Sequence, residues 1–332
     1  MEISKFKFSR PAELDVSIII VSFNTREILL RCLESIKKQT RGISYEVIVV
    51  DNASEDKTVE TVAEKFRDIN VIANKENRGF SAANNQGILL SRGKKIAFLN
   101  PDTLLTENSF EKILMYMKEH PEFSILGSGI VDKNNKLCPI RLWEDTPQDA
   151  ALKVLNLYDP SSELEKMGEM KAKEVQVISG CCFVVTRELI ESVGLMDENY
   201  FLYNEEDDFC RRARKNGKKI CFFPETAVQH LHGQSTHQNC HREKVIVEAY
   251  RSNIYFYSKY YSYFWNLFLR FLYKITFLVG LLSPKLFYNK DSRTVDKSFS
   301  LKVKLLLMSP AKNNFCNFFK AILLNSLLKK FT

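Results

Sequence analysis

Four carboxylates stand side by side in the stretch YNEEDDFCRR, at Glu205, Glu206, Asp207 and Asp208. Acids this close repel one another, so a carboxylate among them has a raised affinity for a proton and could act as a general base. The plainer explanation is a solvated helix start, because acids interact favourably with the positive end of the helix dipole. The run alone leaves both interpretations open.

Two further acids follow apolar stretches elsewhere in the chain. Asp51 comes directly after YEVIVV, and Asp102 closes IAFLNPD. Ligands of parallel α/β sheets bind at the carboxyl ends of the strands, which is where both aspartates are expected to lie. Aspartate also favours turns at strand ends, which explains one such residue better than it explains two.

Histidines are concentrated after the acidic run, at His230, His232, His237 and His241, with Cys240 among them. Their spacing matches no closed zinc pattern and no Cys-X-X-Cys pair accompanies them, so we do not expect structural zinc. Trp143 could stack on a sugar ring, although a place in the core explains a tryptophan equally well.

The first hundred residues alternate apolar runs with amphipathic patterns. The runs of strand length are VSIIIVSF, YEVIVV, INVIAN and KKIAFL, and a helical pattern follows each of them. Strands that are apolar throughout and separated by helices indicate a parallel sheet covered on both faces. Farther on, residues from about 130 to 175 are mixed. VQVISGCCFVVT then predicts a strand interrupted at Gly180, RELIESVG a helix and KKICFF a further strand.

The composition is that of a folded globular protein, with 332 residues, a hydrophobic fraction of 45% and a charged fraction of 27%. No signal peptide is evident after Met1. Eight cysteines at irregular spacing do not resemble a disulfide framework, which favours a reducing, cytoplasmic compartment.

The net charge of +8 is unevenly distributed along the chain. From Val245 to the end, fourteen Lys or Arg stand against three Asp or Glu, so this segment carries +11 and residues 1–244 carry −3. A basic, aromatic tail could bind nucleic acid, but membrane contact is the preferred interpretation and no nucleic-acid partner is expected.

The tail contains one stretch, residues 264–283, that is long enough to span a bilayer. Arg270 and Lys274 fall near its middle, where charge is costly. A helix lying in the membrane interface fits better. The alternative is a helix that packs on the rest of the chain or on a second subunit.

Six pieces of the sequence resemble, in order and spacing, the family 2 glycosyltransferases, especially their bacterial rhamnosyltransferase-like branch. They are VSIIIVSFNT, EVIVVDNASEDKT, NRGFSAANNQGI, IAFLNPDT, GLMDENYFLYNEEDDFCRR and AVQHLHGQS. The resemblance covers about residues 15–240. It implies an α/β fold of the GT-A type, with a Rossmann-like, mostly parallel sheet and helices on both faces, followed by a helical C-terminal tail.

The resemblance also implies a division of the chain. Residues 1–244 would form the GT-A domain, with a nucleotide-sugar half at about 15–128 and an acceptor and catalytic half at about 129–244. Residues 245–332 lie beyond the resemblance, and their basic, aromatic composition predicts a mainly helical tail that contacts the inner face of the plasma membrane.

The resemblance assigns roles residue by residue. The nucleotide-sugar site is carried over to Ser22, Phe23, Asn24, Asp51, Asn77, Gly79, Asn84 and Asn100. A divalent cation, Mn²⁺ or Mg²⁺, would be held by Asp102 and His230 together with the donor phosphates. Asn100 stands where the family has the first acid of its Asp-X-Asp motif. Glu206, a glutamate in place of the usual aspartate, would be the catalytic base, while Glu205 and Asp208 hold acceptor or backbone groups.

The function implied is inverting transfer of a sugar from a nucleotide diphosphate donor to a saccharide acceptor in bacterial cell-surface polysaccharide synthesis. The leading donor is dTDP-rhamnose, by resemblance only, and a lipid-linked acceptor would suit membrane contact. One alternative is a hexosyl- or N-acetylhexosaminyltransferase that uses a UDP-sugar. Another, from a different class, is a non-catalytic nucleotide-sugar-binding or scaffold protein.

Overall fold

The computed structural model describes residues 6–155, 157, 167, 171–231 and 242–282, with side chains of the last range described from 245 to 276. The first strands form where the sequence predicts them, as β1 (Leu14–Ser22), β2 (Tyr45–Asp51), β3 (Asn70–Ala73) and β4 (Gly93–Leu99). Residues 16–21 of β1 are all buried, with at most 8% of any of them exposed. Because successive side chains of a strand point to opposite faces, both faces of the sheet are covered here.

The N-terminal half of the sheet is parallel, with β1 paired to β2 and β4, and β2 paired to β3. The remaining strands of the described residues are β5 (Thr103–Leu105), β6 (Phe123–Val131), β7 (Lys173–Val175), β8 (Cys182–Thr186) and β9 (Lys219–His230). The order across the sheet is β3-β2-β1-β4-β8-β6-β9-β5, and β7 pairs with β9. β8 runs antiparallel to β4 and β6, whereas β6 and β9 are parallel. The α/β fold is therefore confirmed.

The helices that follow the first strands are α1 (Arg26–Gln39), α2 (Thr58–Lys65), α3 (Phe80–Leu90) and α4 (Ser109–Glu119). The later helices are α5 (Pro147–Val154), α6 (Arg187–Val193), α7 (Glu205–Lys215), α8 (Arg242–Tyr260) and α9 (Tyr263–Leu282). In α1 the buried residues Leu29, Leu33 and Ile36 recur at spacings of three and four, which places them on one face. Each such face buries apolar side chains against the sheet and so helps fix the loops between strand and helix.

Three features of the sheet differ from the sequence prediction. VQVISGCCFVVT does not form one interrupted strand, since β7 ends at Val175 and β8 begins at Cys182. The prediction of KKICFF as a strand is confirmed, but β9 runs on to His230. β6 was not predicted at all, although its FSILGSGIV is a buried strand. Its two glycines and two serines dilute the apolar pattern.

The chain divides into two compact units. One comprises Met1–Asp145 and Asp159–Lys259 and holds the sheet, and the other comprises Thr146–Tyr158 and Tyr260–Thr332. The predicted boundary after residue 244 stays a prediction. By its contacts α8 belongs, as far as Lys259, to the unit of the sheet.

Two further properties of the described residues concern membrane-spanning helices and cysteines. Within the described residues, no helix is both long and apolar enough to cross a bilayer. Six cysteines of the described residues are buried free thiols, at positions 32, 138, 181, 182, 210 and 221.

Candidate active site

The end of β2 carries the first predicted donor residue. Asp51 pairs in register with Ser22 of β1, so both lie at the same rim of the sheet. The Asp51 carboxylate accepts hydrogen bonds from the amide and the hydroxyl of Ser54, at 2.8 and 2.6 Å. Burial raises the pKa of Asp51, and the bonds from Ser54 partly offset that rise. A carboxylate can accept about four hydrogen bonds, so Asp51 retains capacity for a ligand N–H.

Ser54 joins this loop to the one after β1. The Ser54 hydroxyl accepts from the amide of Asn24 at 2.8 Å, and Asn24 Oδ1 accepts from the amide of Glu55 at 2.8 Å. Asn24 has a φ of 53°, a left-handed conformation that asparagine tolerates better than most residues. Phe23 is half-buried in the same turn. The structure thus brings Ser22, Phe23, Asn24 and Asp51 together.

The loop before α3 contains Asn77 and Gly79. Asn77 Oδ1 accepts from the amide of Gly79 at 3.0 Å, and Gly79 has a φ of 85°. A Cβ at Gly79 would lie 2.7 Å from the carbonyl oxygen of Phe201. The amide of Phe80 donates to that same oxygen at 2.7 Å. Only glycine fits this approach, which fastens the predicted donor loop to the segment that precedes the acidic helix.

Asn84 lies on α3 and is buried. Its side-chain amide donates to the carbonyl oxygen of Phe80 at 3.0 Å. Its neighbour Asn85 exchanges hydrogen bonds with the backbone of Met196, at 2.9 and 3.0 Å. The first turns of α3 are therefore held by the chain leading towards α7.

The end of β4 carries the residues predicted to hold a cation. The amide of Asn100 donates to the carbonyl oxygen of Cys181 at 2.9 Å. Asp102 is fully buried, and its Oδ1 lies 3.1 Å from Nε2 of His230. The antiparallel pairing of Thr103 with His230 produces this approach from residues 128 positions apart.

Asp102 and His230 suit a cation whose remaining ligands come from a bound substrate. Within the described ranges, no group of three or more His, Cys, Asp or Glu converges as a metal site would require. An oxygen and an imidazole nitrogen together are compatible with Mn²⁺, and phosphate oxygens are good ligands for either candidate ion. The other members of the histidine cluster, His232, His237, Cys240 and His241, lie outside the described residues.

The acidic run is the first turn of α7, as predicted, but it is not a solvated face. Glu205 and Asp207 are each 5% exposed, and Asp208 is fully buried. The helix follows two residues in the left-handed region, Tyr203 with a φ of 69° and Asn204 with a φ of 66°. This conformation is unfavourable for a bulky residue such as tyrosine and requires support from its surroundings.

Two acids of the run are matched by cations. Both carboxylate oxygens of Asp207 accept from Nη2 of Arg141, at 2.6 and 2.7 Å. Asp208 binds Nε of Arg212 at 2.7 Å and Nζ of Lys259 at 2.6 Å. The predicted role of Asp208 towards acceptor or backbone groups stays a prediction, and these contacts of its carboxylate are to side chains of the chain itself.

The other two acids, Glu205 and Glu206, each have one buried carboxylate oxygen, Oε2, that has no hydrogen-bond partner. Burial, followed by the charge of Asp207, raises the pKa of Glu206 to about 7. Burial and then the charge of Glu206 raise the pKa of Glu205 well above its usual value. Burial is the largest cause of both shifts, so each of the two carboxyls has an increased affinity for a proton.

Contacts around Gly180 connect the acidic helix with the end of β4. A Cβ at Gly180 would lie 3.6 Å from the Glu206 carboxyl carbon. The next residue, Cys181, accepts the hydrogen bond from Asn100. The backbone of Gly180 and Cys181 is therefore close to both Glu206 and Asn100, and Asp102 follows Asn100 by two residues. Because β1 pairs with both β2 and β4, the end of β4 lies at the same rim as Asp51.

Three residues near the acidic helix were not predicted in these positions. Arg141 and Lys259 reach it from 66 and 51 residues away along the chain. Glu144 pairs with Arg211 and Arg214 on the same helix. Trp143, between these anchors, is 41% exposed, which excludes a place in the core. An aromatic residue flanked by charges in RLWED was the only sequence signal for this segment.

Comparison with known proteins agrees with this geometry. The family model described as "Glycosyl transferase family 2" matches residues 17–194. A "Low-salt glycan biosynthesis hexosyltransferase Agl10" of Haloferax volcanii is 26% identical over 62% of this chain and 64% of its own length. The chain thus spans less than two thirds of that relative. An "N-acetylglucosaminyl-diphospho-decaprenol L-rhamnosyltransferase" of Mycobacterium tuberculosis is 25% identical over 66% of this chain and 76% of its own length.

A solved structure shows the same fold. "Crystal structure of GalNAc-T7 with UDP, GalNAc and Mn2+" matches with a TM-score of 0.51 at 17% identity, over 74% of this chain and 50% of that one. The resemblance seen in the sequence is thereby confirmed at the level of family and GT-A fold. Since the family model covers more than half of the residues, this chain is a member of glycosyl transferase family 2.

Proposed function

We propose that the protein transfers a sugar, with inversion, from a nucleotide diphosphate donor to a hydroxyl group of a saccharide acceptor. The observation that carries this proposal is the pair of carboxyls on Glu205, which is buried, and Glu206, which is half-buried with an enclosed Oε2, beside the backbone that holds Asn100. A scaffold would gain nothing from a carboxyl of raised proton affinity beside a donor rim. An enzyme that must deprotonate a hydroxyl needs such a carboxyl as its base.

In the proposed reaction the acceptor oxygen attacks the anomeric carbon from the face opposite the diphosphate. The new carbon–oxygen bond forms as the sugar–phosphate bond breaks, and the diphosphate leaves with the bonding electron pair. Glu206 takes the proton of the acceptor hydroxyl, while the proton on Glu205 keeps the pair from carrying two negative charges.

The donor side rests on three loops. Asp51 can accept a hydrogen bond from a pyrimidine N–H. Phe23 offers a flat surface on which the base can stack, and the backbone around Gly79 allows the donor to approach closely. Asn100 lies at the same rim. Asp102 and His230 would hold Mn²⁺ or Mg²⁺, and such an ion neutralises negative charge that develops on a diphosphate leaving group.

The donor sugar is proposed from relatives. The mycobacterial relative is named a rhamnosyltransferase that acts on a diphospho-decaprenol-linked sugar, which supports rhamnose as the sugar and a lipid-linked acceptor. The dTDP carrier is proposed from the sequence resemblance alone. The Haloferax relative is named a hexosyltransferase, which supports the alternative of a UDP-hexose or UDP-N-acetylhexosamine donor.

Membrane contact through the tail is supported by the surface of α9. Its exposed apolar residues are Tyr263, Phe264, Leu267, Phe271 and Ile275, from 38% to 75% exposed. They recur at spacings of three and four residues and so form one stripe, which we call the α9 stripe. Together with the charge of +11 from Val245 onward, it fits a helix lying on an anionic membrane surface. Reduced buried thiols suit the cytoplasmic face.

The experiment that tests the function is a thermal-shift panel of nucleotide diphosphate sugars, each with and without Mn²⁺. A ligand that binds only the folded state raises the Tm, so selective stabilisation by one donor identifies it. We expect a deoxythymidine or uridine diphosphate sugar to stabilise the protein, and more so with Mn²⁺. If no nucleotide sugar raises the Tm, the proposed donor site is wrong.

A further inference from the structure

Helix α8 lies beyond the residues that match the family model, yet it is attached to the entrance of the acidic helix. The Ser252 hydroxyl donates to the carbonyl oxygen of Leu202 at 2.7 Å. The Tyr255 hydroxyl donates to Oδ2 of Asp197 at 2.9 Å. Both partners belong to residues 197–204, which we call the entry segment because α7 begins directly after it.

Lys259 makes the connection to α7 itself. Its Nζ lies 2.6 Å from Oδ1 of Asp208 and 2.6 Å from Oδ2 of Asp197. The ammonium group therefore joins the start of the entry segment to the first turn of the helix. The rings of Tyr200 and Tyr255, each with its centre 5.7 Å from Nζ, lie beside it at cation–π distance.

The contact between Lys259 and Asp208 matters because Asp208 is close to the proposed base. Asp208 is fully buried, and each of its oxygens contacts a cation, Oδ2 that of Arg212 and Oδ1 that of Lys259. Asp208 is two residues from Glu206 along α7. Between Asp197 and Asp208 lies the left-handed turn at Tyr203 and Asn204, which requires support from outside itself.

We propose that Lys259 is a positioning residue for the transfer reaction, which holds Asp197 and Asp208 together and thereby fixes the direction of Glu206. This inference depends on the proposed role of Glu206 as the base. It makes α8 a part of the catalytic unit, although its sequence lies in the basic segment predicted as a tail.

A positioning role for Lys259 and a purely stabilising role predict different changes in Tm and kcat. A buried ion pair that only stabilises the fold would change the Tm and leave the turnover of the folded enzyme intact. A positioning residue changes kcat, because a base displaced by about 1 Å can cost about 100-fold in rate. The larger effect should therefore be on kcat, with a smaller one on the donor KM, because Phe201 of the entry segment touches Gly79.

The test compares Lys259→Met with Lys259→Arg in the full-length protein. Lys259→Met keeps the length of the side chain and removes its charge, and we expect kcat to fall about 10- to 100-fold with a smaller change in the donor KM. Lys259→Arg can still pair with two carboxylates and should recover part of the loss. The matched control is Arg251→Met, which removes an exposed cation of the same helix that pairs with Glu248 at 2.7 Å. It should leave kcat unchanged.

Hydrogen exchange of residues 197–208 gives a readout that needs no substrate. Faster exchange in Lys259→Met, and not in Arg251→Met, is expected. Unchanged exchange overturns the inference whatever the activity, and so does faster exchange with an unchanged kcat. If the wild-type protein transfers no sugar, the proposed function fails, while exchange still shows whether Lys259 holds the entry segment.

Discussion

Arg141 binds both carboxylate oxygens of Asp207, at 2.6 and 2.7 Å, one residue away from Glu206. With Asp208 held by Arg212 and Lys259, the two aspartates of the run are balanced by cations, and the two glutamates keep enclosed oxygens without partners. The four acids therefore divide into a pair that fixes the helix and a pair available for proton transfer. This division decides which substitutions should affect chemistry.

Glu206→Gln should lower kcat/KM about 100- to 10,000-fold, because an amide cannot accept the acceptor proton. Donor binding, measured by thermal shift, should be nearly unchanged. The same variant should have a higher Tm at pH 8 than the wild type, since burial raises the pKa of Glu206 and folding stability is lost as the pH rises through about 7. Unchanged turnover would remove Glu206 as the base.

Glu205→Gln is the matched control for that variant. Glutamine is neutral, like the protonated carboxyl proposed for Glu205, so we expect kcat/KM to stay within about tenfold of the wild type. A loss as large as that of Glu206→Gln would show that the two carboxyls cannot be assigned separate roles.

The pH dependence of kcat/KM should rise through about 7. The Glu206 carboxyl, whose pKa is raised to about 7, is protonated below that pH and cannot act as a base. Below the midpoint the rate should increase about tenfold per pH unit and then level off. Initial rates between pH 5.5 and 8.5 measure this profile. A profile that is flat from pH 5.5 upward would contradict the raised proton affinity.

Chelation of divalent metal should abolish most of the stabilisation that the donor confers, because Asp102 and His230 would hold the ion only together with the donor phosphates. Asp102→Asn should produce the same loss in the presence of Mn²⁺. The control is Asp68→Asn, which changes an exposed aspartate away from the rim. Thermal shifts with donor and Mn²⁺, singly and together, provide the measurement. Equal donor shifts with and without EDTA would exclude this metal role.

Trp143→Ala should raise the acceptor KM about 2- to 10-fold, as expected for the loss of one aromatic stacking contact worth about 0.5–1.5 kcal/mol. The donor KM should not change. Trp143 is exposed in a segment anchored to α7 through Arg141 and Glu144, and we propose that it contacts the acceptor. Trp143→Phe, which keeps a ring, is the control. An effect on the donor KM alone would assign this residue to the other substrate.

Introducing glutamates into the α9 stripe, as Leu267→Glu with Phe271→Glu, should lower binding to anionic liposomes at least tenfold. Two buried apolar contacts would be replaced by charges repelled by the lipid. Transfer to a water-soluble acceptor should persist. Met115→Glu, at an exposed position of α4, tests the effect of added charge alone. Liposome flotation is the measurement, and unaltered binding of the double variant would contradict the membrane role of the stripe.

The parallel half of the fold could be predicted because its strands are apolar runs separated by helical patterns, and three of them, β1, β2 and β4, are largely buried. β6 could not be predicted, because its glycines and serines interrupt the apolar pattern. The reason for these small residues is the close packing of side chains from other parts of the chain. A Cβ at Gly127, for example, would lie 2.7 Å from Ile178. The order of the strands could not be predicted from the sequence either, because β8, which comes later in the chain, lies between β4 and β6 in the sheet.

For the candidate site, the sequence predicts which residue types lie at the rim but not how their charges are balanced. Asp207 and Asp208 look equivalent to Glu205 and Glu206 in the run EEDD. Arg141 and Lys259, which distinguish them, come from distant parts of the chain and are brought to α7 only by folding. The roles of individual site residues therefore remain predictions for the experiments above.

The contact between Gly79 and Phe201 limits how such an enzyme could be re-engineered. A loop expected to select the donor and a segment that leads to the base touch backbone to backbone, with no flexible side chain between them to absorb a change. Remodelling that loop to accept a new sugar would therefore disturb turnover as well. Libraries aimed at altered specificity would do better to vary the turn around Phe23 and leave the glycine untouched.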